Sequence, residues 1–156
     1  SSAKDISVVV ASDHAAVAAK RIVTDTLAAL GVACRDLGAH DDRSVDYPDY
    51  AAEVASAVSE GRAARGVLLC GTGIGMSIAA NKFPGVRAAL VHDVTTARMS
   101  RLHNDANVLV LGGGLLGDRL LRDIVEVWFA TEFEGGRHQR RLDKIAAVER
   151  AAKAPR

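Results

Sequence analysis

Short apolar runs alternate along this chain with longer segments whose apolar residues recur at helical spacing. The short runs are apolar at nearly every position, which is typical of strands buried on both faces of a parallel sheet. The predicted strands are 6–12, 32–37, 66–70, 87–91 and 107–112. The alternation predicts βαβ units with right-handed crossovers, and therefore an α/β fold with a five-stranded parallel sheet covered by helices on both faces.

The segments between the strands are rich in alanine and end on helix-terminating residues. Segments 15–31 and 47–61 close on Gly31 and Gly61, which suit helix C-termini. Two further helices are predicted after the last strand, over 116–130 and about 138–152. No linker, repeat or low-complexity segment divides the sequence, so we expect a single domain over 1–156 with an extra C-terminal helix.

Composition and charge narrow the classes of function. Hydrophobic residues make up 49% and charged residues 25%, and the net charge of +1 offers no electrostatic case for nucleic acid or a membrane as partner. Two cysteines, Cys34 and Cys70, form no disulfide framework and suit a reducing compartment. The sequence shows no charged-then-apolar leader and no run of membrane-spanning length, which predicts a cytoplasmic protein.

Folds of this class bind ligands at the carboxyl ends of their strands. The segments at those ends are SDH at 12–14, CGT at 70–72, VHD at 91–93 and GGG at 112–114. The segment HND at 103–105 precedes the fifth strand and belongs to the opposite edge of the sheet. It would need a partner or an unusual loop to join the other candidates.

The stretch GVLLCGTGIGMSIAANK, 66–82, places a thiol at the mouth of a glycine-rich loop. It is not a nucleotide P-loop, because no Lys-Ser/Thr pair follows its last glycine. Successive glycines let backbone N–H groups converge on an anion, and the same groups would stabilise a thiolate at Cys70. Thr72 adds a hydroxyl that can donate or shuttle a proton. A tight turn beside a buried cysteine remains the alternative interpretation.

Three other motifs each admit two interpretations. GGGLLG at 112–117 matches the dinucleotide pattern weakly, since no βαβ unit follows it. Asp13 could cap a helix, or the Asp13–His14 pair could face a substrate. Tyr47 could bind a ligand or simply begin the second helix. Residues His40, Asp41, Asp42 and His92 lack metal-ligand spacing, so no metal is predicted.

A basic cluster, RHQRR at 137–141, is the local exception to the even charge distribution. A solvated basic face, or a helix used only in assembly, would explain it. Against those interpretations, Gly135-Gly136 place the cluster at a helix N-terminus, where arginine opposes the helix dipole. Arginines with a histidine at that position favour a bidentate grip on phosphate.

Five motifs occur in order at matching spacing: ASDHAA, DYPDYA, CGTGIGMSIAANK, SRLHNDANVL and EGGRHQRRLDKI. Together they resemble ribose-5-phosphate isomerase type B, of the family that includes the galactose-6-phosphate isomerase subunits. The resemblance covers nearly the whole chain. It implies a Rossmann-like three-layer sandwich and a homodimer, in some members paired into tetramers. It also implies active sites shared between subunits and no metal or organic cofactor.

The resemblance implies interconversion of ribose 5-phosphate and ribulose 5-phosphate through an enediolate, a reaction of the pentose phosphate pathway. It makes Cys70 the base, Thr72 its helper in proton transfer to oxygen, and His103, with Asp13, the group that opens the furanose ring. Loop N–H groups would stabilise the enediolate. The implied substrate-binding residues are Asp13, His14, Tyr47, Gly71, Gly73, Ile74, Gly75, Asn104, Arg137, His138 and Arg141.

Two departures from the family pattern bear on the substrate. Gly114 stands where many members have arginine, and Val17 where relatives often have an aromatic residue. The alternatives are therefore other sugar phosphates: allose 6-phosphate, galactose 6-phosphate or a tetrulose phosphate. GGGLLG supplies an alternative from a different class, a non-catalytic nucleotide-binding module. The choice of sugar phosphate, dimer or tetramer, and the direction of the reaction stay open.

Overall fold

The computed structural model describes residues 7–154, which form a five-stranded sheet and six α-helices. The elements are β1 (Val8–Ser12), α1 (Val17–Ala29), β2 (Cys34–Asp36), α2 (Tyr47–Ser59), β3 (Arg65–Cys70), α3 (Ile74–Ala80), β4 (Ala88–Leu90), α4 (Val94–Leu102), β5 (Val108–Gly112), α5 (Asp118–Ala130) and α6 (Arg137–Lys153). A 3-10 turn, His14–Ala16, leads into α1. The five predicted strands are confirmed, with β2 and β4 shorter than expected. Ile6, predicted to begin the first strand, lies outside the described residues.

All strand pairs are parallel, and the strand order is β2-β1-β3-β5-β4. Helices α1, α4 and α5 pack on one face of the sheet, while α2 and α3 pack on the other. The predicted three-layer α/β architecture is confirmed. The segment after β1 leads to α1 on one face of the sheet, and the segment after β3 leads to α3 on the other face. The carboxyl ends of β1 and β3 therefore flank the crevice at which open α/β sheets bind ligands.

The two cores follow from the alternation of side chains along the buried strands. Val10 and Leu69 point into the layer that holds Trp128 of α5, whereas Val9 points into the layer of α2 and α3. Cys70, the last residue of β3, belongs to this second layer. The thiol therefore lies under the loop that joins β3 to α3.

A buried ion pair holds the loop after β2 against α1. The ammonium of Lys20 is 2.6 Å from the Asp36 carboxylate and donates to the Ala39 carbonyl oxygen at 2.5 Å. Lys20 is buried, so these bonds satisfy a charge that burial would otherwise leave unpaired. The loop then continues to Val45, whose N–H group reaches His14.

Helix α6 begins one residue before the predicted boundary and carries two buried side chains among those described, His138 and Leu142. The N–H group of Gly85 donates to the Glu149 carboxylate at 3.2 Å, which ties α6 to the loop before β4. Within residues 7–154, every helix is too short or too polar to cross a lipid bilayer.

Candidate active site

The turn after β3 closes over the thiol of Cys70. This side chain is 6% exposed, and its Sγ accepts a hydrogen bond from the Gly73 N–H group at 3.2 Å. Gly73 has φ +80°, and a Cβ there would lie 2.6 Å from a methyl carbon of Leu90, so the turn requires glycine. A donor aimed at sulfur binds more strongly when the sulfur is charged. The turn therefore directs one backbone donor at the sulfur atom.

Thr72 lies at the solvent-facing tip of the same turn. Its side chain is exposed, and its Oγ1 accepts the N–H group of Ile74 at 3.3 Å. Two N–H groups of the loop, those of Gly73 and Ile74, are thus bonded to side chains of the loop itself. A substrate oxygen would have to compete with those bonds or use the neighbouring N–H groups.

Backbone hydrogen bonds join the ends of β1, β3 and β5 into one surface. The Asp13 N–H group donates to the Leu69 oxygen at 3.1 Å, and the Gly113 N–H group donates to the Cys70 oxygen at 2.8 Å. A Cβ on Gly112 would lie 2.7 Å from the Thr72 carbonyl oxygen. The glycines of GGGLLG thus allow the loop after β5 to approach the thiol loop closely.

Asp13, His14 and Tyr47 surround this surface. The Asp13 carboxylate accepts the Ala15 N–H group at 3.1 Å and caps the 3-10 turn, as one of its two interpretations required. His14 Nδ1 accepts the Val45 N–H group at 3.1 Å, so the ring proton is on Nε2, where it is free to be donated. His14 also lines a cleft of about 730 Å³ beside α1.

Tyr47 begins α2 and lies against the thiol loop. Its ring covers Gly75 so closely that a Cβ on this glycine would overlap it. Tyr47 is partly exposed and carries its hydroxyl at the rim of the crevice. Both interpretations of Tyr47, helix start and ligand contact, are compatible with this position.

The HND segment lies at the opposite end of the strands from Cys70. Gly66 pairs with Val108 and Cys70 with Gly112, so residues 103–105, which precede β5, lie at its amino end. Asp105 has φ +44°, and its carboxylate is 2.8 Å from Arg101 Nη1. The same buried Nη1 donates to the Ala106 oxygen at 2.7 Å, which fixes the turn.

Two stacked histidines stand beside this turn. The rings of His103 and His138 are 4.2 Å apart with 14° between their planes. His138 is 5% exposed, and its Nε2 has no hydrogen-bond partner among residues 7–154. A Glu134 oxygen lies 3.8 Å from His138 Nε2, and the other lies 4.0 Å from His103 Nε2. Burial and then the neighbouring His103 lower the pKa of His138, whereas Glu134 acts in the opposite direction.

The ligand atoms of His103, Glu134 and His138 all lie within 4.8 Å of one another, a spacing that a metal ion could bridge. An imidazole binds a metal through a lone pair in its ring plane. Since the two planes are stacked and nearly parallel, a single ion cannot lie in both unless a ring rotates. The absence of a metal stays a prediction.

The predicted site residues form two groups in one subunit, one at the carboxyl ends of the strands and the other at their amino ends. The thiol cluster contains Asp13, His14, Tyr47, Cys70, Gly71, Thr72, Gly73, Ile74 and Gly75. The histidine cluster contains His103, Asn104, Arg137, His138 and Arg141. Arg137 and Arg141 are exposed on the first turns of α6. Sequence reasoning missed Glu134, although this residue opens the EGGRHQRRLDKI motif.

Comparison with known proteins decides the family. The model of the ribose/galactose isomerase family matches residues 8–145. The chain belongs to the ribose/galactose isomerase family. Among its relatives, ribose-5-phosphate isomerase B of Escherichia coli is 44% identical over 137 residues, which cover 88% of this chain and 92% of that protein. The resemblance drawn from the sequence motifs is confirmed.

Solved structures of family members agree with the fold. Ribose-5-phosphate isomerase B of Clostridium thermocellum has a TM-score of 0.92 and 47% identity, covering 95% of this chain and all of that one. The Mycoplasma genitalium isomerase with bound ribulose-5-phosphate has a TM-score of 0.89 and 41% identity, covering 94% and 97%. The family also includes a D-erythrulose-4-phosphate isomerase from Pectobacterium atrosepticum, 39% identical over 95% of this chain and 98% of that one.

Proposed function

We propose that this chain is an aldose–ketose isomerase that interconverts ribose 5-phosphate and ribulose 5-phosphate, a reaction of the pentose phosphate pathway. The observation that carries the proposal is the buried Cys70 thiol, held by the Gly73 N–H group at the crevice between β1 and β3. The names of the Escherichia coli relative and of the ribulose-5-phosphate complex support the choice of substrate.

Cys70 serves as the base in this proposal. Its thiolate removes the proton from the carbon next to the carbonyl group, and the thiol returns it to the adjacent carbon through an enediolate. N–H groups of the loop from Gly71 to Gly75 stabilise the enediolate oxygens, and the exposed Thr72 hydroxyl moves protons to and from them. A base that must stay reduced suits the cytoplasm, where we place the protein.

The remaining steps require the histidine cluster. His103 opens the ring, and Asn104 together with Tyr47 holds sugar hydroxyl groups. The phosphate is bound by His14, Arg137, His138 and Arg141. The six residues of β3 separate the two clusters by about 20 Å, which is longer than a five-carbon sugar phosphate. A single subunit therefore cannot surround one substrate with both clusters.

A homodimer resolves this separation. Ile74 and Ile78 of α3, next to the thiol cluster, are more than half exposed, as are Ile145 and Val148 of α6. Exposed apolar residues on neighbouring elements favour burial against another protein surface. A second copy of the chain docked there would place its histidine cluster beside the thiol cluster of the first.

The test of the proposed function is the kcat/KM value for ribose 5-phosphate, allose 6-phosphate, galactose 6-phosphate and erythrulose 4-phosphate. We expect ribose 5-phosphate to be preferred by about a hundredfold, which corresponds to about 2.7 kcal/mol of differential transition-state binding. Preference for another sugar phosphate would contradict the substrate assignment. Absence of turnover on all four, with saturable nucleotide binding in calorimetry, would favour the nucleotide-binding module instead.

Erythrulose 4-phosphate is the second candidate substrate. The relative from Pectobacterium atrosepticum is named for it, and Gly114 here lacks the arginine that the family pattern led us to expect. The Gly114 N–H group donates to the Gly71 oxygen at 2.9 Å, so this position contacts the thiol loop directly. A missing side chain at this point would change the space available to the substrate.

A further inference from the structure

Glu134 is the acidic residue that faces both histidines of the histidine cluster, and the proposed mechanism does not use it. One carboxylate oxygen lies 3.8 Å from His138 Nε2 and the other lies 4.0 Å from His103 Nε2. The Glu134 N–H group donates to the Leu102 oxygen at 3.0 Å, which places the carboxylate beside the end of α4. Glu134 lies in the loop between α5 and α6, so its position depends on this tertiary contact.

We propose that Glu134 is a positioning residue whose carboxylate keeps one proton on the stacked His103–His138 pair, carried by one ring at a time, and that this proton is supplied to the sugar for ring opening. The inference rests on the proposed function, because ring opening is a step of that reaction. It goes further by assigning the source of the proton to a three-residue unit and not to His103 alone.

The stacking explains why the unit holds one proton. Two imidazolium rings 4.2 Å apart repel each other strongly, particularly where one of them is buried. Burial, the stacked His103 and the positive neighbours Arg137 and Arg141 lower the pKa of His138, and Glu134 is the neighbour that raises it. One carboxylate within 4 Å of both Nε2 atoms compensates one positive charge.

The unpartnered Nε2 of His138 is the second observation. A buried ring nitrogen without a hydrogen-bond partner among the described residues is costly unless another group reaches it during function. Charged groups that face the pair are Glu134 from the loop before α6, and Arg137 and Arg141 from α6 itself. A phosphate bound by these arginines would reduce their repulsion and favour the protonated pair further.

The proton balance of ring opening fits this arrangement. The furanose ring oxygen takes a proton from His103 as its bond to C1 breaks, and the C1 hydroxyl group gives its proton to the Asp13 carboxylate across the proposed interface as the carbonyl group forms. His103 then recovers a proton from water, and Asp13 releases one to water, so the enzyme returns to its starting state. No oxidant, reductant or metal enters the step.

Glu134→Gln tests the inference, with Glu132→Gln as the matched control in the same exposed segment. Imidazole NMR titration of the free protein should show the midpoint of the pair falling by about 0.5 to 1 pH unit in Glu134→Gln. The alkaline limb of the plot of kcat/KM against pH should shift to lower pH by the same amount, because the pair loses its proton at lower pH. Activity relative to the wild type should fall several-fold at pH values above the midpoint and approach the wild-type value well below it.

An unchanged midpoint in Glu134→Gln would overturn the inference, and so would an equal shift in Glu132→Gln. A uniform loss of kcat at every pH would also overturn it, since that result indicates a structural role. The titration needs no substrate, so it decides the inference even if all sugar phosphates fail to react. That failure would count against the proposed function alone.

Discussion

Cys70 shows at the scale of one residue how position decides the role of a side chain. A cysteine at the end of an apolar strand is equally compatible with a small core residue and with a reactive group. The structure places the side chain in the α2–α3 core layer and directs its Sγ at the Gly73 N–H group. Burial shields the thiol from solvent, and the Gly73 N–H group fixes the direction of its sulfur atom.

Replacing Cys70 by alanine should lower kcat by about 10² to 10⁴-fold, because the proposed general base is lost while the proposed phosphate-binding residues remain. KM should change little. Cys34→Ala is the matched control, since Cys34 lies on β2 away from the thiol loop. Steady-state kinetics and exchange of the substrate's alpha proton with solvent measure the effect. Near-normal turnover of Cys70→Ala would show that another group is the base.

The sequence is a poorer guide to a residue such as Glu134, which is proposed to act through neighbouring side chains and not on the substrate. Catalytic roles for Cys70, Thr72 and His103 were predicted from the family motifs that surround them. The carboxylate of Glu134 lies near both histidines only because its backbone contacts the end of α4. No local sequence pattern shows this contact. Such partners are set by contacts between segments distant in sequence.

At the scale of the element, the HND turn depends on a buried ion pair. Arg101, buried at the end of α4, binds the Asp105 carboxylate at 2.8 Å and the Ala106 oxygen at 2.7 Å. It also donates to the Thr131 oxygen at 3.2 Å, which joins the turn to the end of α5. His103 and Asn104 are therefore presented by a braced turn.

Asp105→Asn should loosen this turn, because the buried Arg101 loses its counter-charge. We expect a loss of about 1 to 2 kcal/mol in the free energy of unfolding and about a tenfold fall in kcat/KM. Asp41→Asn is the control, since Asp41 pairs with Arg43 at the exposed surface and should have little effect on either quantity. Urea denaturation and kinetics of both variants measure the difference. Equal stability of the two variants would refute the bracing role of Asp105.

The glycine run GGGLLG illustrates a limit of motif analysis at this scale. Its spacing resembles a dinucleotide site, yet two of its glycines have close neighbours of another kind. A Cβ on Gly112 would be 2.7 Å from the Thr72 oxygen, so packing requires glycine there. One on Gly113 would be 3.0 Å from the Cβ atoms of Ala16 and Ala19, which leaves little room for a side chain. The sequence shows that glycine is present but not which neighbour requires it.

For the whole molecule, the decisive feature is the separation of the two clusters by the length of the sheet. Parallel strands place Cys70 and residues 103–105 at opposite edges, and no small movement within one subunit removes that distance. The proposed homodimer would bring the two clusters together across its interface. Four exposed apolar side chains support this proposal: Ile74, Ile78, Ile145 and Val148. Catalysis and assembly would then be inseparable.

Mixing two inactive variants tests this shared site. Cys70→Ala and His103→Asn homodimers should each be inactive, whereas dimers formed by subunit exchange should contain one intact site and one doubly defective site. Random exchange of equal amounts should restore about a quarter of wild-type activity. Mixing without dissociation is the control and should restore none. No recovery after verified exchange would place both clusters in sites that do not span the interface.

The sequence by itself determined the α/β class, the five strands and the family, because apolar periodicity and long motifs are local properties of the chain. Boundaries of α6 and of the short strands β2 and β4 shifted, since packing at element ends decides them. Only the tertiary structure decided which residues meet: Tyr47 with Gly75, His103 with His138 and Glu134, and Arg101 with Asp105. These contacts join segments far apart in sequence, so no local pattern contains them.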